Sequence, residues 1–154
     1  LEGTNLNEDF IRVRNSKGGF ELQNIRDILS IDYRPDFSIV RTRDGEYELP
    51  ISKKGLIETI IDQFDFIQSD RDLFVNIKLV KKYHSTLNYV FFDNIDSVKE
   101  VKEKNLPYIF LHPRYVKHFR SYFGIENDLA YKKIHRKNKI SYIRNVIDEI
   151  LNAD

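Results

Sequence analysis

Between residues 10 and 49, apolar and charged side chains alternate in short runs, and each run stops at turn-forming residues. A period of two puts successive side chains on opposite faces of an extended chain, so the pattern calls for a sheet with one buried and one wet face. The runs are 10–14 (FIRVR), 19–22 (GFEL), 28–33 (ILSIDY), 38–43 (SIVRTR) and 46–49 (EYEL). Lys17-Gly18-Gly19, Arg34-Pro35-Asp36 and Asp44-Gly45 separate them. Glycine permits positive φ, proline presets the first turn dihedral, and Asp-Gly is a strong short-range hairpin signal. Connections this short join antiparallel strands.

The period then changes. Ser52 is placed to cap a helix over 53–64, in which Leu56, Ile57, Ile60, Ile61 and Phe64 fall on one side. Strand signals return at 66–68, 73–75, 88–92 and 108–111, while the charged stretch 94–105 reads as a loop or an exposed helix. A helix is expected over 114–123, with Pro113 at its first turn and Gly124 as its stop. The span 139–152 is amphipathic: Ile140, Ile143, Val146, Ile147, Ile150 and Leu151 form one stripe, expected to pack on the domain's own sheet. The fold class expected is mainly β with accessory helices: an antiparallel sheet, one internal helix and a helical C-terminus.

Composition narrows the function classes. A chain of 154 residues that is 41% hydrophobic and 32% charged suits one domain with a real core and does not suit a disordered tail. No apolar run approaches the length of a membrane span, and no signal-peptide pattern opens the chain. The absence of Cys removes disulfide scaffolds, thiol catalysis and cysteine zinc ribbons. A chain without Met that starts at Leu1 is expected to be part of a longer cytoplasmic protein, with 1–9 a flexible N-terminal segment or foreign residues.

Catalytic patterns are sparse. There is no nucleophile-elbow, phosphate-loop, dinucleotide-binding or HExxH motif. His112 and His118 stand six apart, which is no common ligand spacing. Asp70 and Asp72 bracket Arg71, which reads as a solvated turn ahead of an acid–base or metal pair. Asp36 with Glu100 and Lys102 loosely echoes a Mg²⁺-dependent nuclease, in which carboxylates hold the metal and a lysine steadies the phosphate.

Charge carries the stronger signal. Residues 112–139 hold eight Lys/Arg against two Asp/Glu, although the whole chain is only +1. Such a segment suits phosphate. In a helix beginning near Pro113, Val116, Phe119 and Phe123 turn inward, while Arg114, Lys117 and Arg120 share another side. An Arg in the first turn can reach a guanine edge, and free N–H groups at the helix start can meet a phosphate. Lys132 and Lys133, with Arg136 and Lys137, extend the basic segment and are expected to touch phosphate only.

The order of these pieces resembles the LytTR family of DNA-binding domains, found mostly at the C-terminus of bacterial response regulators. The matching stretches are Asp27-Ile28 with Ser30 to Asp32, then Phe37 to Val40 and Thr42 to Gly45. The helix beginning at Ser52 follows, then 66–76 (FIQSDRDLFVN) for the family's central motif and 111–119 (LHPRYVKHF) for its last one. The resemblance covers about 10–123, leaving 124–154 as a C-terminal helical extension. Phe66, Arg71, Val75 and Asn76 match the central motif, whereas Gln68, Asp70 and Asp72 replace its first Arg, its His and its Ser.

The resemblance implies a DNA-binding domain that lays loops into successive grooves, with no catalysis and no cofactor or metal. It puts the base-contacting arginine near the C-terminal end on Arg114 and the central contact on Arg71. The early loop contact falls near Asp36-Phe37, where Arg34 is the available donor. The expected function is therefore sequence-specific binding of double-stranded DNA by a bacterial transcription regulator of the two-component type. Self-association on tandem sites is an accompanying expectation, and no membrane is involved. Two alternatives stay open: a degenerate LytTR-like module that binds protein instead of DNA, and the Mg²⁺-dependent nuclease.

Overall fold

The alternating runs become strands in the computed structural model, which describes residues 9–50 and 54–131 together with Ile147, Ile150 and Leu151. The first strands are β1 (Phe10–Arg14), β2 (Phe20–Asn24), β3 (Ser30–Asp32), β4 (Ser38–Thr42) and β5 (Gly45–Leu49). Helix α1 (Lys54–Gln63) follows, then β6 (Phe66–Asp70) and β7 (Leu73–Asn76). These seven strands form one antiparallel sheet in the order β2-β1-β5-β4-β3-β7-β6. A second antiparallel sheet holds β8 (Lys82–His84), β9 (Tyr89–Phe91) and β10 (Tyr108–Phe110), in the order β10-β9-β8. Between β9 and β10 lies α2 (Val98–Glu103), and after β10 comes α3 (Val116–Phe123). The mainly-β fold with accessory helices stands as expected.

Two cores divide at the large sheet. On α1, Ile57, Ile60 and Phe64 are buried against Ile11, Val13, Ile31, Val40 and Phe66 of the sheet, with Leu56 and Ile61 packed beside them. The other core joins Val75, Tyr83, Val90, Ile109, Leu111 and Phe119, so the small sheet and α3 close over the strands. Strand alternation sorts the residues: Phe66 and Phe74 go to the α1 side, Ile67 and Val75 to the other. The expectation of one wet face is thus corrected for β6 and β7, which are covered on both sides.

Several boundaries differ from the sequence pattern for local reasons. The run 28–33 shortens to β3 because Ile25–Asp27 forms a 3-10 turn, whose N–H at Arg26 donates to the Asn24 side chain. Asn76 repeats the device: its Oδ1 accepts from the N–H of Lys78, and its Nδ2 donates to the carbonyl of Ile28. The β4–β5 hairpin turns at Arg43-Asp44, since Gly45 already pairs with Thr42 at the start of β5. Strand β8 has no sequence signal; three residues exist as a strand because they pair with β9 and bury Tyr83 completely. The stretch 94–105 is a helix only over α2.

The segment after Pro113 is also corrected. Pro113–Tyr115 is a 3-10 turn and the α-helix starts at Val116, so Arg114 is not on the α-helical face that carries Lys117 and Arg120. Gly124 does end the helix, with φ of 74°. Of the C-terminal stripe, Ile147, Ile150 and Leu151 are helical but 48%, 69% and 74% exposed, so packing on the sheet does not extend to these three. Ser52 and the rest of that stripe lie outside the described residues.

Candidate nucleic-acid interface

Three connections carry the exposed arginines singled out in the sequence. Arg34 sits in the β3–β4 connection, Arg71 in the β6–β7 turn, and Arg114 in the 3-10 turn after β10. Sheet topology brings them to one end of the molecule. Because β3 and β7 pair with Asp32 opposite Leu73, the β3–β4 connection and the β6–β7 turn are neighbours. The main-chain N–H of Tyr33 donates to the carbonyl of Asp72 over 2.8 Å. On the far side of the same hairpin, the N–H of His112 donates to the carbonyl of Ser69 over 2.6 Å. The β6–β7 hairpin is therefore the bracket from which the other two connections are hung.

Each arginine is held differently. Arg34 is 3.0 Å from the Asp32 carboxylate and lies over the Phe37 ring, which uses part of its charge locally. At the hairpin tip, the Asp70 carboxylate accepts the N–H of Arg71, and Gln68 donates to the Arg71 carbonyl. This turn chemistry fixes the backbone, and the Arg71 guanidinium has no partner among the described residues. The Asp70 carboxylate is thus engaged within the turn, while Asp72 contributes its main-chain carbonyl to the N–H of Tyr33.

Arg114 is the best prepared of the three. Its N–H donates to Nδ1 of His112 over 3.1 Å, so the ring of His112 caps the turn. The guanidinium is exposed and has no ion pair or hydrogen bond among the described residues. The same cap corrects the expectation of free N–H groups for a phosphate: His112 takes that of Arg114, and main-chain carbonyls take those of Tyr115 and Val116. Sequence reasoning missed His112 because histidine is an uncommon cap, and only its position before Pro113 hinted at it. Phe110, His112, Tyr115 and His118 also form a row of rings with centroids 6.3, 6.3 and 6.1 Å apart, beside Arg114 and Lys117.

Arg120 has a partner within the fold. Its guanidinium lies 3.4 Å from the carboxylate of Asp128, which is fully buried. Asp128 also accepts the N–H groups of Ser85 and Ala130. Tyr83 completes the group, donating to the Gly124 carbonyl. Burial pushes the Tyr83 phenol up from its ordinary value, with Arg120 beside it acting in the opposite direction. Arg120 thus ties α3 to the following turn, while Lys117 stays exposed and without a partner among the described residues. Lys132 and Lys133 lie outside the described residues.

The residues of the nuclease pattern lie on separate elements. Glu100 accepts from the N–H of Asp96 and pairs with Lys104 at 3.4 Å, while Asp36 lies in the β3–β4 connection. Its hydrogen bond from Asp96 holds the Glu100 carboxyl below the usual range. Among the described residues no group of three or more His, Asp or Glu side chains could hold a metal ion. No helix among them is long and apolar enough to cross a membrane.

No protein-family model matches the chain, and no curated protein matches it. Among solved structures it is similar to a LytTr DNA-binding domain of a methyl-accepting/DNA response regulator from Bacillus cereus. The TM-score is 0.53 at 14% sequence identity, over 74% of this chain and 95% of that one. At that identity the similarity establishes a shared LytTR-like fold.

Proposed function

We propose that this LytTR-like domain binds double-stranded DNA in a sequence-specific manner, as the effector part of a bacterial transcription regulator acting in the cytoplasm. The observation that carries the reading is the hanging of the Arg34 and Arg114 connections from the hairpin that presents Arg71, through two main-chain hydrogen bonds. Loops fixed to one hairpin can enter grooves along one side of a duplex without reorganising. Arg114 would read bases, because an exposed guanidinium on a capped turn offers the fork that matches guanine O6 and N7. Arg71 and Arg34 would contact bases or backbone nearby, and Lys117 would contact phosphate. Arg120 is left with its structural partner.

Selection of bound duplexes from a random pool, followed by anisotropy titration of the selected and an unrelated duplex, tests the proposal. Enrichment of a motif containing G, bound well above the unrelated duplex at equal salt, is the expected result. Absence of binding to any duplex at low salt overturns it. Self-association on tandem sites belongs to the same reading, and comparing duplexes with one and two selected sites reads it directly.

The acidic environment favours a second reading. Asp32, Asp36, Asp70 and Asp72 surround Arg34 and Arg71, and like charge repels phosphate. A LytTR-like module that had exchanged DNA for a protein partner would have such a surface, and it would fail the selection outright.

A further inference from the structure

Helix α2 leaves a cleft against the small sheet that the DNA-binding reading does not use. The cleft is about 260 Å³ and is lined by Tyr89, Phe91, Val98, Val101 and Tyr108, with Lys99 and Lys102 as the charged lining residues among those described. Its floor is core: Phe91 and Val101 are buried and pack with Ile95 and Leu129. Its wall is an aromatic corner in which Tyr89 and Tyr108 meet edge-to-face with centroids 4.9 Å apart. The frame around it is pinned, since the N–H of Leu106 donates to the Val101 carbonyl and the Arg41 guanidinium donates to the Tyr108 carbonyl.

Charge selects the occupant. Lys99 and Lys102 lie three residues apart on α2, are exposed, and have no carboxylate partner among the described residues. Two acids flank them in sequence: Glu100 is turned away to the Asp96 N–H and Lys104, and Glu103 is exposed and makes no ion pair with Lys99 or Lys102. Two unpaired ammonium groups at the rim of an apolar cleft suit a ligand with an apolar body and one anionic end. The volume lies just below that of clefts for drug-sized ligands, so the body is short.

We propose that this cleft binds a small amphipathic carboxylate, with its apolar part between Val98, Val101 and the Tyr89–Tyr108 corner and its carboxylate shared by Lys99 and Lys102. The pairing is at the surface, where ion pairs are weak. Two of them therefore make the carboxylate bind about three- to tenfold tighter than a neutral analogue of the same length.

The test is amide NMR titration of the whole chain with octanoate, octan-1-ol and octylammonium as probes. Expected are saturable shifts at Phe91, Val98, Val101 and Tyr108 with octanoate, weaker binding of the alcohol at the same place, and none of the ammonium. In a Lys99→Gln/Lys102→Gln variant whose spectrum is otherwise unchanged, octanoate should fall to the affinity of the alcohol. Equal binding of octanoate and octanol to the unaltered chain, shifts confined to other surfaces, or octanoate affinity untouched by the double substitution would each overturn the proposal.

Discussion

The main-chain N–H of His112 meets the carbonyl of Ser69 at 2.6 Å, so the turn bearing Arg114 is fastened to the edge strand of the large sheet by backbone. Side-chain substitutions nearby leave that fastening in place. The position of Arg114 relative to Arg71 is set by sheet geometry, which makes single-residue tests of the surface interpretable.

Arg114→Ala should cost about 1–3 kcal/mol on a selected duplex and much less on an unrelated one, because a bidentate arginine–guanine pair discriminates by that order. Arg114→Lys should restore little, since an ammonium lacks the fork. Paired anisotropy titrations at one salt concentration check both; equal losses on the two duplexes would make Arg114 a phosphate contact.

Lys117→Ala should weaken all duplexes alike and flatten the slope of log affinity against log salt by about one unit. Lys132→Ala and Lys133→Ala are expected to behave the same way. Titrations across a salt series measure the slope, and a loss confined to one sequence would contradict a phosphate role.

His112→Ala should lower stability by about 0.5–2 kcal/mol, the usual loss when a capping acceptor is removed. His112→Asn should recover most of it, because the shorter side chain still presents an acceptor to the N–H of Arg114. Urea unfolding of the three proteins decides; no difference between Ala and wild type would mean the cap contributes nothing.

Arg120→Ala should destabilise the fold by about 1–3 kcal/mol, as it strips a charged partner from a buried carboxylate. Asp128→Ala should cost more, about 3–5 kcal/mol, because it leaves the guanidinium and the N–H groups of Ser85 and Ala130 without their acceptor. At temperatures where Arg120→Ala remains folded, its DNA affinity should match wild type. A large affinity loss with intact stability would return Arg120 to the interface.

Tyr83 gives a pH dependence with a definite sign. Its phenol is raised chiefly by burial, so the folded state holds the proton more tightly than the unfolded state. The associated stability is complete below the ordinary tyrosine value of about 10 and is lost as pH rises through the higher folded value. Tyr83→Phe cannot ionise and should therefore lose less stability between pH 9 and about 11 than wild type does. Parallel slopes in urea midpoints over that range would show that Tyr83 does not control the alkaline limb.

What the sequence by itself determined is local. The period-two runs set β1 to β5, the spacing of Leu56, Ile57, Ile60, Ile61 and Phe64 set the buried side of α1, and Gly124 set the end of α3. These features record backbone dihedrals and the face each side chain takes, and both are decided within a few residues. Arg114 was singled out by its place in a motif, but its capped turn was not. Only tertiary structure decided that β3 lies beside β7, that three residues around Tyr83 form a strand, and that Asp128 claims Arg120. It also decided that the Arg34, Arg71 and Arg114 connections meet at one end. Those outcomes depend on register and distance between segments up to about 80 residues apart, and no local period encodes which distant strand will supply a hydrogen-bond partner.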